Sequence, residues 1–178
     1  MIYETERLII RKARMEDNLF LYKMLHDPII LKYNCIKSPT EEEVNTFIEK
    51  TKTDHIHYVI ETKDKNEVIG EINFEPDSLR YGIHSIQLSY HLDTKYVGKG
   101  YMSEALQGAL SYGFNILHAT MFSARVFTEN ERSNNLLKRL GFKLEGTLRH
   151  AVKAYKDIIY DDNLYSMTLE DYVCHYQK

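Results

Sequence analysis

Between residues 55 and 93 lie three β-rich runs, "HIHYVIET", "EVIGEINFE" and "SIQLSYHLD", joined only by the polar "KDKNE" and by "PDSLRYGIH". A parallel pair needs a crossover of roughly a dozen residues, usually helical, so links this short predict antiparallel neighbours. The pattern then changes. "KYVGKGYMSEAL" opens a stretch in which Met102, Ala105, Leu106, Ala109, Leu110 and Leu117 share one helical face to about residue 117. "TMFSARVFT" follows as a strand, so strand, helix and strand predict one parallel crossover in an otherwise hairpin-built sheet.

The flanking segments complete the layout. "RLIIRK" reads as a short strand, and Leu21, Met24 and Leu25 mark a helix that Asp27-Pro28 stops. Thr40 and Glu43 have capping-box spacing ahead of Val44, Phe47 and Ile48. Asn130 is placed to cap a helix buried through Leu136, Leu137 and Leu140, with Gly141 just past its end. Phe142 onward and "IYDDNLYSMTL" supply two closing strands. The expected fold is α/β (α+β): one domain over residues 1–178, a mixed, mostly antiparallel sheet flanked by helices in the order β-α-α-β-β-β-α-β-α-β-β.

With 43% apolar and 28% charged residues, the composition is that of an ordinary globular chain, and the formal charge of -3 argues against nucleic-acid binding through net field. Cys35 and Cys174 are too few for a disulfide framework or a thiolate metal site, so no metal is expected. The start lacks a signal-peptide pattern and no apolar run is long enough to span a bilayer. A cytoplasmic protein without a membrane partner is the resulting expectation.

The glycine bend at residues 95–102 raises the question of a ligand. The first amides of a helix have no helical partner and sit at the positive end of its dipole. Gly98 and Gly100 lack a Cβ, which lets an anion approach those amides, and Lys95 and Lys99 add charge. A turn that uses glycine only for its geometry fits the bend equally well. "GKGYMS" does not make a P-loop, and Ser103 stands where a dinucleotide fingerprint needs its third glycine.

Three segments carry a resemblance that spans nearly the whole chain: "TERLIIRKARMED", "LSYHLDTKYVGKGYMSEAL" and "NERSNNLLKRLGFKLEGTLR". In this order and spacing they resemble the GNAT N-acetyltransferase superfamily, in particular its ribosomal-protein-alanine (RimJ/RimL-like) branch. The resemblance implies acetyl-CoA as cofactor, with its diphosphate on Val97, Gly98, Lys99, Gly100, Tyr101 and Met102. It implies a pantetheine arm along the backbone of Tyr90, His91 and Leu92, and a thiol end flanked by Asn130 and Ser133. Lys95 stands where the family usually has Gln or Arg, and Leu137 where many members carry a tyrosine general acid. The resemblance therefore leaves the acid unassigned.

Acetyl transfer to an amine needs a route for the amine proton, a place for charge on the carbonyl oxygen and help for the departing thiolate. Backbone N–H groups freed by a bulge in the strand at 85–93 are the expected oxyanion donors. Ser133 is the first candidate for proton donor or thiol partner, and its position also suits helix capping. Glu71, Glu75, His84 and His91, expected on the two cleft strands, are the base candidates, with Glu75 carried forward; each also suits a cross-strand pair. Asp161 and Asp162 would hold a cationic acceptor or form a solvated turn. A ping-pong route through Cys35 or Cys174 lacks an activating context. The implied reaction is direct transfer in a ternary complex to a primary amine, a peptide or protein N-terminus or a small amine such as a polyamine, aminoglycoside or amino-acid analogue. A catalytically silent acyl-CoA-binding module and a nucleotide-binding protein are the alternatives. Similar proteins are commonly dimers, so a homodimer is compatible with the resemblance.

Overall fold

The computed structural model describes residues 2–34, 38–53 and 56–177. Strand β1 (Tyr3–Glu4) turns back on β2 (Leu8–Arg11), and helix α1 (Asn18–Leu25) follows a short 3-10 turn. Asp27 does not simply end the helical region: its side chain accepts from the Ile29 N–H, and Pro28 opens α2 (Pro28–Lys32) at the position where its missing N–H costs nothing. Thr40 and Glu43 form the expected capping box on α3 (Glu41–Thr51). Strands β3 (His57–Thr62), β4 (Val68–Pro76) and β5 (Ser85–Leu92) then pair antiparallel in sequence order, as their short links require. The long helix α4 (Tyr101–Asn115) crosses to β6 (Met121–Phe127), the one strand that pairs parallel with its neighbour, β5. Helix α5 (Glu131–Arg139), β7 (Lys143–Lys153), β8 (Ile159–Thr168) and α6 (Leu169–Tyr176) complete the order. Three elements exceed the sequence expectation: β1, α2 and α6.

The eight strands form one sheet in the order β1-β2-β3-β4-β5-β6-β8-β7. Alternation along the strands assigns the faces. Ile60, Ile72, Phe74, Leu88, Phe122 and Ala124 pack in one cluster with Ala105, Leu106, Leu110 and Phe114 of α4, Leu136 and Leu137 of α5, and Tyr172 of α6. Val59, on the opposite face, packs with Ala13, Leu21, Ile30, Val44 and Ile48 around α1, α2 and α3. Leu106 is fully buried, so Leu106→Ala would cost roughly 2–5 kcal/mol. α4 lies so close to the sheet that a Cβ on Gly113 would run into the Phe122 ring. With Ala105, Leu106, Ala109 and Leu110, that contact seats α4 against the sheet.

Candidate active site

The sheet is open in the middle. β5 pairs with β4 over its length, Gly70 opposite Leu92 through Pro76 opposite Ile86, with no shift of register. Against β6 it pairs only from Ser85 opposite Met121 to Leu88 opposite Ala124. Residues 89–92 therefore present an edge of main-chain donors and acceptors with no strand beside it. The expected bulge is absent; the free groups arise because β5 and β6 diverge beyond Leu88.

The bend lies at the end of that edge. Gly98 and Gly100 have φ of +83° and +82°, in the left-handed region that favours glycine. The first bond into the helix runs from the Glu104 N–H to the Gly100 carbonyl at 3.0 Å, which leaves the amides of Tyr101, Met102 and Ser103 without helical partners. Residues 97–100 are exposed, whereas the Met102 side chain is buried in the core, so Met102 offers only its amide. Lys99 lies with its ammonium 5.1 Å from the Tyr96 ring centre. Arg7, which carried no role in the sequence reading, reaches the same spot: it donates to the Lys99 carbonyl at 3.1 Å and stacks 4.5 Å over the Tyr101 ring. Glu104 holds it with a 2.6 Å ion pair.

On the α5 side, the Asn130 side chain accepts from the Ser133 N–H at 3.3 Å and so caps the helix. The Ser133 hydroxyl is therefore not the cap; it lies 2.6 Å from the Tyr90 hydroxyl. Burial pushes the Tyr90 phenol above its ordinary pKa, against the opposing effect of the Ser133 bond. Leu137 is fully buried in the core, so that position brings no polar group to the site. Asn134 fixes the start of α5: it donates to the carbonyls of Phe127 (3.0 Å) and Asn130 (2.9 Å) and accepts from Asn163 (2.8 Å) and Tyr165 (2.9 Å).

The other face of the same strands is polar. Glu71 is buried and bonded to His91 Nδ1 at 2.8 Å, while His91 Nε2 lies 3.4 Å from Asn34 Nδ2. With Nδ1 donating to the carboxylate, Nε2 is the acceptor nitrogen. Glu75 accepts from Ser89 at 2.7 Å, and Ser89 in turn accepts from Asn73 at 3.1 Å. His84 is exposed in the loop before β5, not on a strand, so its expected place in the cleft is corrected. Asp161 and Asp162 lie within β8 rather than in a solvated turn. Asp162 is buried 2.7 Å from Arg125, and Asp161 accepts from the His150 N–H. Burial raises the Asp162 pKa despite that arginine. Cys174 is exposed on α6, and Cys35 lies outside the described residues. Among the described residues no group of three or more His, Cys, Asp or Glu could hold a metal, and no helix is long and apolar enough to cross a membrane.

A split strand edge beside a glycine-lined helix start, with hydroxyls on one side and a histidine–carboxylate pair on the other, is suited to acyl transfer from a phosphate-bearing thioester. A family model described as "Acetyltransferase (GNAT) domain" matches residues 7–143, and the chain belongs to that family. It is 30% identical over 173 residues to "Uncharacterized N-acetyltransferase YoaA" of Bacillus subtilis (strain 168), covering 93% of this chain and 96% of that one. Over 83 residues it is 40% identical to the "[Ribosomal protein uS5]-alanine N-acetyltransferase" of Escherichia coli (strain K12), a match covering 47% and 42% of the two chains. The solved spermidine N-acetyltransferase of Vibrio cholerae, in complex with CoA and spermine, superposes with a TM-score of 0.81 at 21% identity, covering 93% of this chain and 98% of that one. The protein is an N-acetyltransferase that uses acetyl-CoA as donor.

Proposed function

We propose that this chain, as one catalytic domain of the cytoplasm, acetylates the N-terminal amine of a peptide or protein by direct transfer in a ternary complex. The observation that carries the proposal is the split beyond Leu88, where the free edge of residues 89–92 separates Ser133 and Tyr90 from His91 and Glu71. In this reading Val97, Gly98, Lys99, Gly100, Tyr101 and Met102 hold the diphosphate of acetyl-CoA through main-chain amides. Tyr90, His91 and Leu92 bind the pantetheine arm as a neighbouring strand would, and Asn130 and Ser133 stand at the thiol. The acceptor enters from the other face, so nucleophile and leaving group are handled from opposite sides of the sheet. His91, fixed by Glu71, takes the amine proton. Geometry favours it over Glu75, which stands opposite Gln87 on the part of β5 still paired to β6.

The 40% identity to the uS5-alanine enzyme supports a protein N-terminus as acceptor. Glu75 favours a second reading, a polyamine acceptor, because its carboxylate accepts from the neutral Ser89 hydroxyl and keeps its negative charge for a cation. A panel of peptides and small amines with acetyl-CoA, read by the mass of an added acetyl group, separates the two. Acetylated peptides with spermidine untouched are expected; acetylated spermidine with every peptide unmodified would replace the first reading by the second.

A further inference from the structure

We propose that Tyr90 fixes the hydroxyl of Ser133 as a hydrogen-bond donor to the thiolate that leaves when acetyl-CoA gives up its acetyl group. The inference rests on Ser133 standing at the thiol, and adds to it the group that aims the hydroxyl.

Tyr90 and Ser133 are 43 positions apart in sequence, one on β5 and one in the first turn of α5, yet their oxygens lie 2.6 Å apart. Tyr90 lies on the core face of β5 with Leu88, partly buried and packed against the core cluster, and its hydroxyl reaches α5. A phenol hydroxyl shielded by core packing needs a hydrogen-bond partner, and Ser133 Oγ is that partner among the described residues. Either oxygen of that pair could donate; the phenol is the stronger acid of the two hydroxyls, and in this proposal it is the donor. Tyr90 thus occupies one lone pair of Ser133 Oγ and leaves the serine proton to point elsewhere. The Ser133 N–H is already committed to Asn130, so backbone and side chain are both oriented. A chain of two hydroxyls ending on an anion is polarised along its length, each bond strengthening the next.

During transfer the amine nitrogen forms the new C–N bond, and the C–S bond breaks with its electron pair passing to sulfur. The surplus amine proton goes to His91. Sulfur leaves as a thiolate that accepts from Ser133 and takes up a proton from water as coenzyme A departs. Tyr90 keeps its proton throughout, so it is a positioning residue.

The direct test is the titration of the bound coenzyme A thiol, followed by the ultraviolet absorbance of the thiolate on the intact protein and on Tyr90→Phe, Ser133→Ala and the double variant. The wild-type complex should hold the thiol below its free pKa. Tyr90→Phe should raise it by about one unit, the scale of one charge-assisted hydrogen bond. Ser133→Ala should raise it at least as far, and the double variant should match Ser133→Ala. Turnover by Tyr90→Phe should fall about tenfold with the KM for acetyl-CoA unchanged, whereas Ser133→Thr, which keeps the hydroxyl, should retain the wild-type titration. A thiol shifted by Ser133→Ala but untouched by Tyr90→Phe overturns the role of Tyr90 alone. A thiol indifferent to both changes removes Ser133 from the thiol as well.

Discussion

Arg7 and Gly100 show how tightly single residues control the bend. A Cβ on Gly100 would lie 3.4 Å from Arg7 Nη2, and the φ of +82° already disfavours any side chain. Gly100→Glu adds a negative charge where the diphosphate is proposed to bind. The KM for acetyl-CoA should rise more than tenfold, over about 1.4 kcal/mol, and Gly100→Ala should fall between it and the wild type. An unchanged KM in both variants would take the bend out of the site. The glycines were legible in sequence because their need for left-handed backbone is local. Arg7 was not: its contacts lie with Lys99, Tyr101 and Glu104, more than 90 positions away. The same is true of Tyr90, whose side-chain partner Ser133 lies 43 positions away. Period-two alternation does turn it toward the core with Leu88, but no local pattern names Ser133 as its partner.

Among the elements, α5 depends on Asn134. Its carboxamide satisfies two carbonyls and receives two donors in a buried setting, so Asn134→Leu leaves several groups without partners. Urea unfolding should show a loss of roughly 3 kcal/mol, and turnover should fall as well, because Asn130 and Ser133 ride on the same turn. A loss below about 1 kcal/mol would mean water replaces those bonds. Elements with strong local signals were legible: the antiparallel run of β3, β4 and β5, the Thr40 capping box and the Asn130 cap all stand where the sequence puts them. Helix α6 also has a local signal, since Thr168 and Asp171 form a capping box of the same kind. Asp27-Pro28 marks a helix end and a helix start with the same two residues, and the apolar spacing ahead of it points only to the first. The divergence of β5 from β6 beyond Leu88 has no counterpart in composition.

At the scale of the whole molecule, acid should loosen the N-terminal arm and the C-terminal helix together. Burial opposes ionisation of Glu104, but hydrogen bonds from Thr5 and Arg7 and the Arg7 charge outweigh it and hold the carboxyl below its ordinary 4.5. Lys143 chiefly holds Asp171 below 3.8. Groups depressed in this way stabilise the fold above their unfolded pKa values, and that stability is lost as pH falls through the lower folded values. The melting temperature should therefore drop on acidification below about pH 4.5, with a shallower drop in Glu104→Gln. Asp162, raised by burial, contributes with the opposite sign. A pH-independent melting curve across that range would refute the assignment.

Across its centre the sheet is stitched by only four residue pairs, those joining 85–88 to 121–124. The seam is a zipper stopped halfway, and a cofactor arm laid along residues 89–92 would serve as the missing teeth. Amide hydrogens beyond the last stitch should exchange quickly in the empty protein and slowly once coenzyme A is bound, so that the donor becomes, for the length of a turnover, a part of the architecture.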